Sequence, residues 1–505
     1  MSNLSLNLVA SAQKYPDSVA LRCDDLAFTF AEFDAAAARV ATFLDREEIA
    51  PGDRVGLMLT NTPAFALAFY GILRSGAIAV PMNPLLKSRE VEFYLSNTGA
   101  TALFATPAFA AEATAGAVGA GANCWLVDDA ELGRLTADLP AQASPVDRAD
   151  TDTAVVLHTS GTTGTPKGAE LTHGGLDRNQ EVAARTLIEV GPADVVMGCL
   201  PLFHIFGLTC GLNTSVSAGA TLTLLPRFDP QKAIEVIERD AVTVFAGVPT
   251  MYSALIGEAT RCPPSATESL RVCVSGGASL PVQVLTDFGK MFGATILEGY
   301  GLSETSPVAS FNHPHRECKP GSVGTPVEGV EMRIVDLMGH EVPQGELGEV
   351  QIRGHNVMKG YWNLPEATAA LLSADGWFST GDVGRVDEDD YIYIVDRKKD
   401  LIIRGGFNVY PREVEEVLYE HPVVVEAAVI GLPHDSLGEE VGAAVVLQDG
   451  ARVDPTELRE FVKQRLAAYK YPRRVWIVDS LPKGATGKIL RREVTVPTTE
   501  SATQS

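Results

Sequence analysis

The chain of 505 residues has no CxxC pair, and its seven cysteines (Cys23, Cys124, Cys199, Cys210, Cys262, Cys273, Cys318) are odd in number and scattered. That excludes a disulfide framework. Most sit in apolar surroundings such as Val272-Cys273-Val274, the setting of buried reduced thiols in a cytoplasmic protein. His313, His315 and Cys318 lack a second ligand pair at zinc spacing, so they are read as no structural metal site. Basic charge is scarce: 41 Lys and Arg stand against 64 Asp and Glu, a net charge of −23. A surface this acidic repels nucleic acid and anionic lipid, which removes both as main partners. Small anions stay open, because a local lysine and backbone amides act at short range. No apolar run has the length of a membrane span; the longest candidate, Phe65 to Met82, is broken by Arg74 and several glycines. Met1 to Ser5 carries no basic segment followed by an apolar one, so no secretory signal is expected. No internal repeat is evident. The expectation is a soluble, cytoplasmic monomer or homodimer, with transient contact with a membrane surface left open.

What is present fits a folded enzyme-sized chain. Hydrophobic content of 46% and charged content of 21% are ordinary for a globular protein, and the length calls for about two to four domains. Up to about residue 330, short apolar strands alternate with helices. Asp53 to Leu59, Ile78 to Pro81 and Thr153 to Leu157 read as strands, as do Val195 to Leu200, Thr221 to Leu224, Val242 to Phe245, Leu270 to Val274 and Thr295 to Glu298. Helices are expected at Phe28 to Phe43, Ala64 to Leu73, Ile205 to Val216, Pro230 to Arg239 and Pro249 to Ile256. This alternation predicts mostly parallel sheets with helices on both faces. In such sheets ligands bind beyond the carboxyl ends of strands, so one crevice could gather the loops after 157, 200, 245, 274 and 298. Between 330 and 396 shorter alternating strands predict a small antiparallel sheet or distorted barrel. After a charged break at Asp396-Arg397-Lys398-Lys399-Asp400 comes a compact α+β unit, and the tail after Val494 reads as disordered.

One stretch carries most of the chemistry. Thr159-Ser160-Gly161-Thr162-Thr163-Gly164-Thr165-Pro166-Lys167-Gly168 follows a buried strand. Its glycines bring backbone N–H groups close to an anion, and its hydroxyls and lysine add donors. The Gly-Lys-Ser/Thr ending of a Walker A loop is missing; Pro166-Lys167-Gly168 stands there. Taken alone the stretch also fits a flexible surface loop.

Four further segments change its meaning: Gly299-Tyr300-Gly301-Leu302-Ser303-Glu304-Thr305, Ser379-Thr380-Gly381-Asp382, Asp396 to Asp400, and Lys483-Gly484-Ala485-Thr486-Gly487-Lys488. In this order and spacing they closely resemble the motif series of adenylate-forming enzymes, the superfamily of acyl-CoA synthetases, peptide-synthetase adenylation domains and luciferases. The resemblance covers nearly the whole chain. It implies a large domain over 1–396 built of two α/β sheet subdomains and a small β-barrel. A hinge at 397–400, a small mobile α+β lid over 401–493 and a tail over 494–505 follow. It implies attack of a carboxylate on the α-phosphate of ATP, then displacement of AMP by the thiol of coenzyme A.

The resemblance also implies roles. Thr159, Ser160, Gly161, Thr162, Thr163, Gly164 and Lys167 would hold the β- and γ-phosphates, with Thr163 counted among the catalytic groups. Glu304 would bind Mg²⁺, a hard cation suited to carboxylate oxygens. Gly276, Gly277 and Ala278 would wall the adenine slot against Tyr300; Glu298, Gly299, Gly301 and Ser303 belong to the same nucleotide segment. Asp382 and Arg397 would bind the ribose, and Lys488 would reach the α-phosphate and acyl carboxylate. Lys399 matches the hinge, and rotation there would replace Lys488 with Gly405, Gly406 and Asn408, which would face the thiol.

The segments near the acyl pocket of such enzymes offer Phe203, His204, Phe206, Val248, Met251, Val308 and Ala309, and no acidic residue. A buried ammonium needs a charge partner, so an amino acid is disfavoured. Malonate-activating relatives carry arginine before the tyrosine; here Gly299 removes that charge and is expected to open space. A medium- or long-chain fatty acid leads, with an aryl acid such as a cinnamate second and a short-chain or dicarboxylic acid behind. His204 either gates the pocket, contacts substrate, or packs at a helix start. A carrier-loading module, an acyl-AMP ligase without the CoA step, a luciferase-like oxygenase and a non-catalytic nucleotide binder are the competing classes. No carrier domain follows Lys488, and no insertion near 330–360 is seen.

Overall fold

The computed structural model describes residues 3–141, 144–159, 165–259 and 263–497. Ser160, Gly161, Thr162, Thr163 and Gly164, the heart of the expected phosphate loop, lie outside the described residues, as does the end of the tail.

Two large sheets form the body of the first 330 residues. One runs Gly360–Tyr361, Lys167–Thr172, Thr153–Thr159, Ile78–Pro81, Arg54–Met58, Ala102–Ala105 and Asn123–Leu126. The other runs Thr325–Pro326, Val308–Phe311, Ile296–Gly301, Val272–Ser275, Val244–Gly247, Val195–Gly198, Thr221–Leu224, Val19–Cys23 and Leu26–Thr29. Most central pairs are parallel, and their residues are apolar and buried, as sheets covered on both faces require. The helices follow local rules. Helix Phe30–Arg46 starts at Thr29, whose side chain accepts from the Glu32 N–H while Glu32 reaches back to the Thr29 N–H at 2.8 Å. Helix Pro63–Arg74 is buried on every side, and its Arg74 pairs with Asp34 at 2.6 Å. Among the described residues no helix is long and apolar enough to cross a membrane.

The chain does not divide its sheets in sequence order. Strand Thr153–Thr159 joins the first sheet although residues 127–152 separate it from Asn123–Leu126, and Val19–Cys23 joins the second beside Thr221–Leu224. The expected crevice loops therefore come from two sheets. Strand Lys167–Thr172 returns antiparallel along Thr153–Thr159, a partner the polar sequence Lys-Gly-Ala-Glu-Leu-Thr did not announce. The helix expected at Ile205 to Val216 is a wider π-helical stretch, Gly207–Asn213, followed by α-helix Thr214–Ala218.

After residue 330 comes the small antiparallel unit: Val330–Val335, Gly348–Gly354, Phe378–Val386 and Ile392–Arg397 in that order. Ser379 to Asp382 thus lies inside a strand, not on a turn. Residues past the hinge bury a core of their own, with Ile402, Val414, Leu418, Val429, Val441, Val445, Leu458 and Val462 at its centre. Hairpin Ile402–Arg404 and Phe407–Val409, which carries the Gly405-Gly406 turn, is an element the sequence reading missed.

Candidate nucleotide site

A cavity of about 590 Å³ opens where the carboxyl ends of the second sheet meet the small antiparallel unit and the C-terminal body. Val248, Gly277, Ala278, Glu298, Gly299, Tyr300, Gly301, Asp382, Arg397, Lys399 and Lys488 all line it. Residues as distant in sequence as Val248 and Lys488 are thus brought together much as expected.

Strand register fixes the core of the site. Asp382 and Arg397 are direct partners across antiparallel strands. Arg397 Nε lies 3.0 Å from one Asp382 oxygen, and the Tyr300 hydroxyl donates to the other at 2.5 Å. Burial, then the Asp382 charge, keeps the Tyr300 phenol far above its ordinary pKa, so it stays a donor. Gly277 sits at φ +78°, where glycine is favoured, directly after strand Val272–Ser275. Its loop is held by Glu298, which accepts the Leu280 N–H at 2.9 Å. Burial pushes the Glu298 carboxyl up to about 7; the Arg412 charge opposes this and Glu416 adds to it. Gly301 can be nothing else, since a Cβ there would lie 1.7 Å from the Pro307 carbonyl oxygen.

Gly299 corrects the sequence reading. A Cβ on it would stand 2.5 Å from the ring of Phe311, so the space beside Gly299 is filled by an aromatic side chain, not opened. The Gly276 direction meets Phe206 at 3.2 Å, which puts the slot wall against the apolar acyl segment. His204 is half-buried; its Nδ1 accepts the Phe206 N–H at 3.3 Å at the start of the helix. Burial, with the nearby Lys488 charge, pushes its pKa down to about 4, so it is neutral near pH 7.

Lys488 enters from the C-terminal body on a tight loop. Gly484 N–H donates to the Lys488 carbonyl at 2.8 Å, Gly487 N–H to that of Gly484 at 2.9 Å, and Thr250 reaches across to the Gly487 carbonyl at 3.0 Å. Burial, then the charge of Arg397, lowers the Lys488 pKa to about 8. Three residues on, Arg491 binds Glu415 through Nε at 2.9 Å and Nη2 at 2.6 Å, and Asp396 through Nη1 at 3.0 Å. Asp396 also accepts the Arg412 N–H at 3.0 Å, and Arg412 donates to the Ile394 carbonyl. Val282 N–H donates to Glu416 at 3.3 Å. The contacts from Thr250, Val282, Ile394 and Asp396 to the C-terminal body hold it in the orientation that inserts Lys488. Thr250, Arg412, Glu415 and Arg491 were missed from sequence, and Asp396 was read there only as part of its motif; the spacing of Arg491 from Lys488 could have drawn notice.

A second corner lies around Glu304, which is buried in the turn Ser303–Thr305. Its Oε1 accepts from Thr159 Oγ1 at 3.2 Å and from the Tyr361 hydroxyl at 2.9 Å. Lys167 Nζ stands 5.2 Å from the Tyr361 ring centre. Glu304 makes no ion pair among the described residues, so a buried carboxylate lies beside Thr159 without a described charge partner. That donor set suits a hard cation such as Mg²⁺. Gly405, Gly406 and Asn408 are not part of either corner: they sit exposed on their hairpin, with the two glycines at φ +57° and +85°.

Fold and site together define a large α/β body and a small C-terminal one with a cavity between them, lined by groups suited to a nucleotide. The sequence matches the family of the AMP-binding enzyme over residues 8–362 and its C-terminal domain over 413–488. It is 38% identical over 529 residues to a long-chain-fatty-acid–CoA ligase of Bacillus subtilis (strain 168), covering 98% of this chain and 94% of that protein. It is 39% identical over 489 residues to a feruloyl-CoA synthase of an Amycolatopsis species, covering 96% and 97%. ATP-bound MatB from Rhodopseudomonas palustris superposes with a TM-score of 0.90 at 33% identity, covering 97% of both chains. The chain belongs to the AMP-binding enzyme family, within the acyl-CoA synthetases of the adenylate-forming superfamily. It is an AMP-forming acid–CoA ligase.

Proposed function

We propose that this ligase activates an apolar monocarboxylic acid, a medium- or long-chain fatty acid ahead of an aryl acid, in the cytoplasm. The observation that carries the reading is chemical. The acyl-pocket segments read from sequence supply Phe206, Val248, Met251, Val308 and Ala309, all buried, with Phe206 against the Gly276 direction and Val248 against that of Gly277, and with no arginine at position 299. Such a wall offers nothing to pair a second carboxylate or an ammonium. The name of the Bacillus subtilis relative agrees with a long chain, and that of the feruloyl-CoA synthase keeps the aryl reading alive.

In this reading adenine lies between Tyr300 and the Gly276-Gly277-Ala278 wall, and Asp382 and Arg397 take the ribose hydroxyls. The loop at 159–168 takes the terminal phosphates, and Glu304 holds Mg²⁺, which supplies charge neutralisation on the phosphates when bound. Lys488 brings a positive charge to the α-phosphate and acyl carboxylate as charge develops there. His204, neutral and bonded to the Phe206 N–H, gates the acyl pocket or contacts substrate. Rotation about Lys399 then withdraws Lys488 and offers the Gly405-Gly406 hairpin and Asn408 to the pantetheine thiol.

CoA-dependent AMP release over saturated acids from acetate to stearate, malonate and cinnamates tests the substrate. Decanoate or palmitate should have the highest kcat/KM. A maximum on malonate would sink the apolar reading, and one on cinnamate would promote the aryl alternative.

A further inference from the structure

We infer that Tyr361 is a positioning residue for the cation-binding carboxylate and the phosphate-loop lysine together, a role that rests on reading Glu304 as the cation ligand. Tyr361 lies outside the five motif segments read from the sequence. Its strand, Gly360–Tyr361, is the outermost of the first sheet and pairs antiparallel with Lys167–Thr172. The segment around it straps three pieces of the site. Met358 N–H donates to the Glu304 carbonyl at 2.8 Å, Lys359 N–H to the Glu170 carbonyl at 2.9 Å, and Trp362 N–H to the Gly168 carbonyl at 2.7 Å. The strap itself is fixed, since Tyr361 N–H donates to Thr368 Oγ1 at 2.9 Å.

The side chain then does two separable things. Its hydroxyl, buried with the ring, donates to Glu304 Oε1, the oxygen Thr159 also engages, so both described hydrogen bonds to the carboxylate end on one oxygen. The other oxygen accepts from no described residue. Fixing Oε1 sets the rotation of the carboxylate plane and so aims Oε2. Meanwhile the ring face lies under Lys167 Nζ at 5.2 Å, which holds the ammonium by attraction to the π cloud without neutralising it. One residue therefore sets the distance between the anionic cation ligand and the cationic phosphate ligand. A carboxylate that binds metal is commonly held this way by an outer partner.

The two functions come apart by substitution. Tyr361→Phe keeps the ring and loses the hydroxyl; Tyr361→Leu loses both. The measurement is ATP affinity of the full-length protein by calorimetry, with and without Mn²⁺, on both variants and on Glu304→Gln, with thermal melting alongside. In Tyr361→Phe the factor by which Mn²⁺ tightens ATP binding should fall about tenfold, with metal-free ATP affinity unchanged and melting lowered only by the one lost hydrogen bond. Tyr361→Leu should in addition weaken metal-free ATP binding. If Glu304→Gln keeps the full Mn²⁺ factor, Glu304 is not the cation ligand and the inference falls with that reading. If Glu304→Gln loses the factor and Tyr361→Phe keeps it, the inference about Tyr361 alone is overturned. It is overturned as well if Tyr361→Phe lowers melting and metal-free affinity in step with the Mn²⁺ factor, which marks a purely structural residue.

Discussion

Replacing Asp396 by asparagine should slow acyl-AMP formation and spare the transfer to coenzyme A. Asp396 lies in strand Ile392–Arg397, beside the expected hinge, and its side chain is only 3% exposed. It accepts three hydrogen bonds: from Arg397 N–H at 2.9 Å, Arg412 N–H at 3.0 Å and Arg491 Nη1 at 3.0 Å. Two of the three donors belong to the C-terminal body. An asparagine offers one acceptor and one NH₂, so one of those donors meets another donor and the charge is lost. A hydrogen bond to a charged partner contributes about 1.5–3 kcal/mol. Arg491 keeps Glu415 at 2.6 Å, so no guanidinium is stranded and about 2 kcal/mol is the better figure. That is about a thirtyfold shift away from the orientation that inserts Lys488. The assay measures the halves apart: acid-dependent exchange of pyrophosphate into ATP for the first, and thioester formation from supplied acyl-AMP and CoA for the second. Exchange should fall by up to about thirtyfold, while transfer holds or rises. Glu415→Gln, which weakens a pair internal to the C-terminal body, should cost exchange less. A parallel fall in both halves, or no change in exchange, would refute the idea that Asp396 holds the inserted orientation.

Lys488→Ala should abolish acyl-AMP formation while transfer from supplied acyl-AMP survives; survival of pyrophosphate exchange would remove Lys488 from its role. With its pKa lowered to about 8, Lys488 loses its charge as pH rises through that value, so kcat/KM for ATP in the first half-reaction should decline above about pH 8. Lys488→Arg should show a flat profile over that range, even at a lower rate. Glu298 carries a carboxyl raised above its unfolded value, to about 7, so folding binds a proton and a stability penalty grows as pH rises from the ordinary carboxylate range and is complete above about 7. Glu298→Gln should therefore gain melting temperature relative to wild type as pH goes from 5 to 8, and a constant difference would contradict it. Gly299→Ala forces a Cβ to 2.5 Å from Phe311 and should cost about 1–3 kcal/mol in urea unfolding, a loss that Phe311→Leu in the same chain relieves.

Much of this was written locally in the chain. The apolar runs at Val155 to Leu157, Ile78 to Val80 and Val272 to Val274 are strands because nothing polar interrupts them, and Thr29 with Glu32 starts its helix through contacts three residues apart. The candidate-site residues Gly277, Tyr300, Asp382, Arg397 and Lys488 could be picked out because they sit in short, spaced motifs, and the fold delivers them to one cavity. What stayed hidden depends on partners distant in sequence. Strand Lys167–Thr172 is polar and becomes a strand only by pairing with Thr153–Thr159 and Gly360–Tyr361. Strand Val19–Cys23 gives no sign that it will cross to the second sheet. Gly299 looked like open space because a sequence shows the absent side chain and not Phe311, which fills the gap from the neighbouring strand. Tyr361 and Arg491 look like an ordinary core aromatic and a surface arginine. Burial beside Glu304, and ion pairing that joins Glu415 to Asp396, are properties of packing. The sequence by itself determined the chemistry, since reacting groups must be of given types at given intervals. The tertiary structure alone decided how those groups are aimed, because a hydrogen bond or an ion pair depends on ångström distances between residues the chain order leaves far apart.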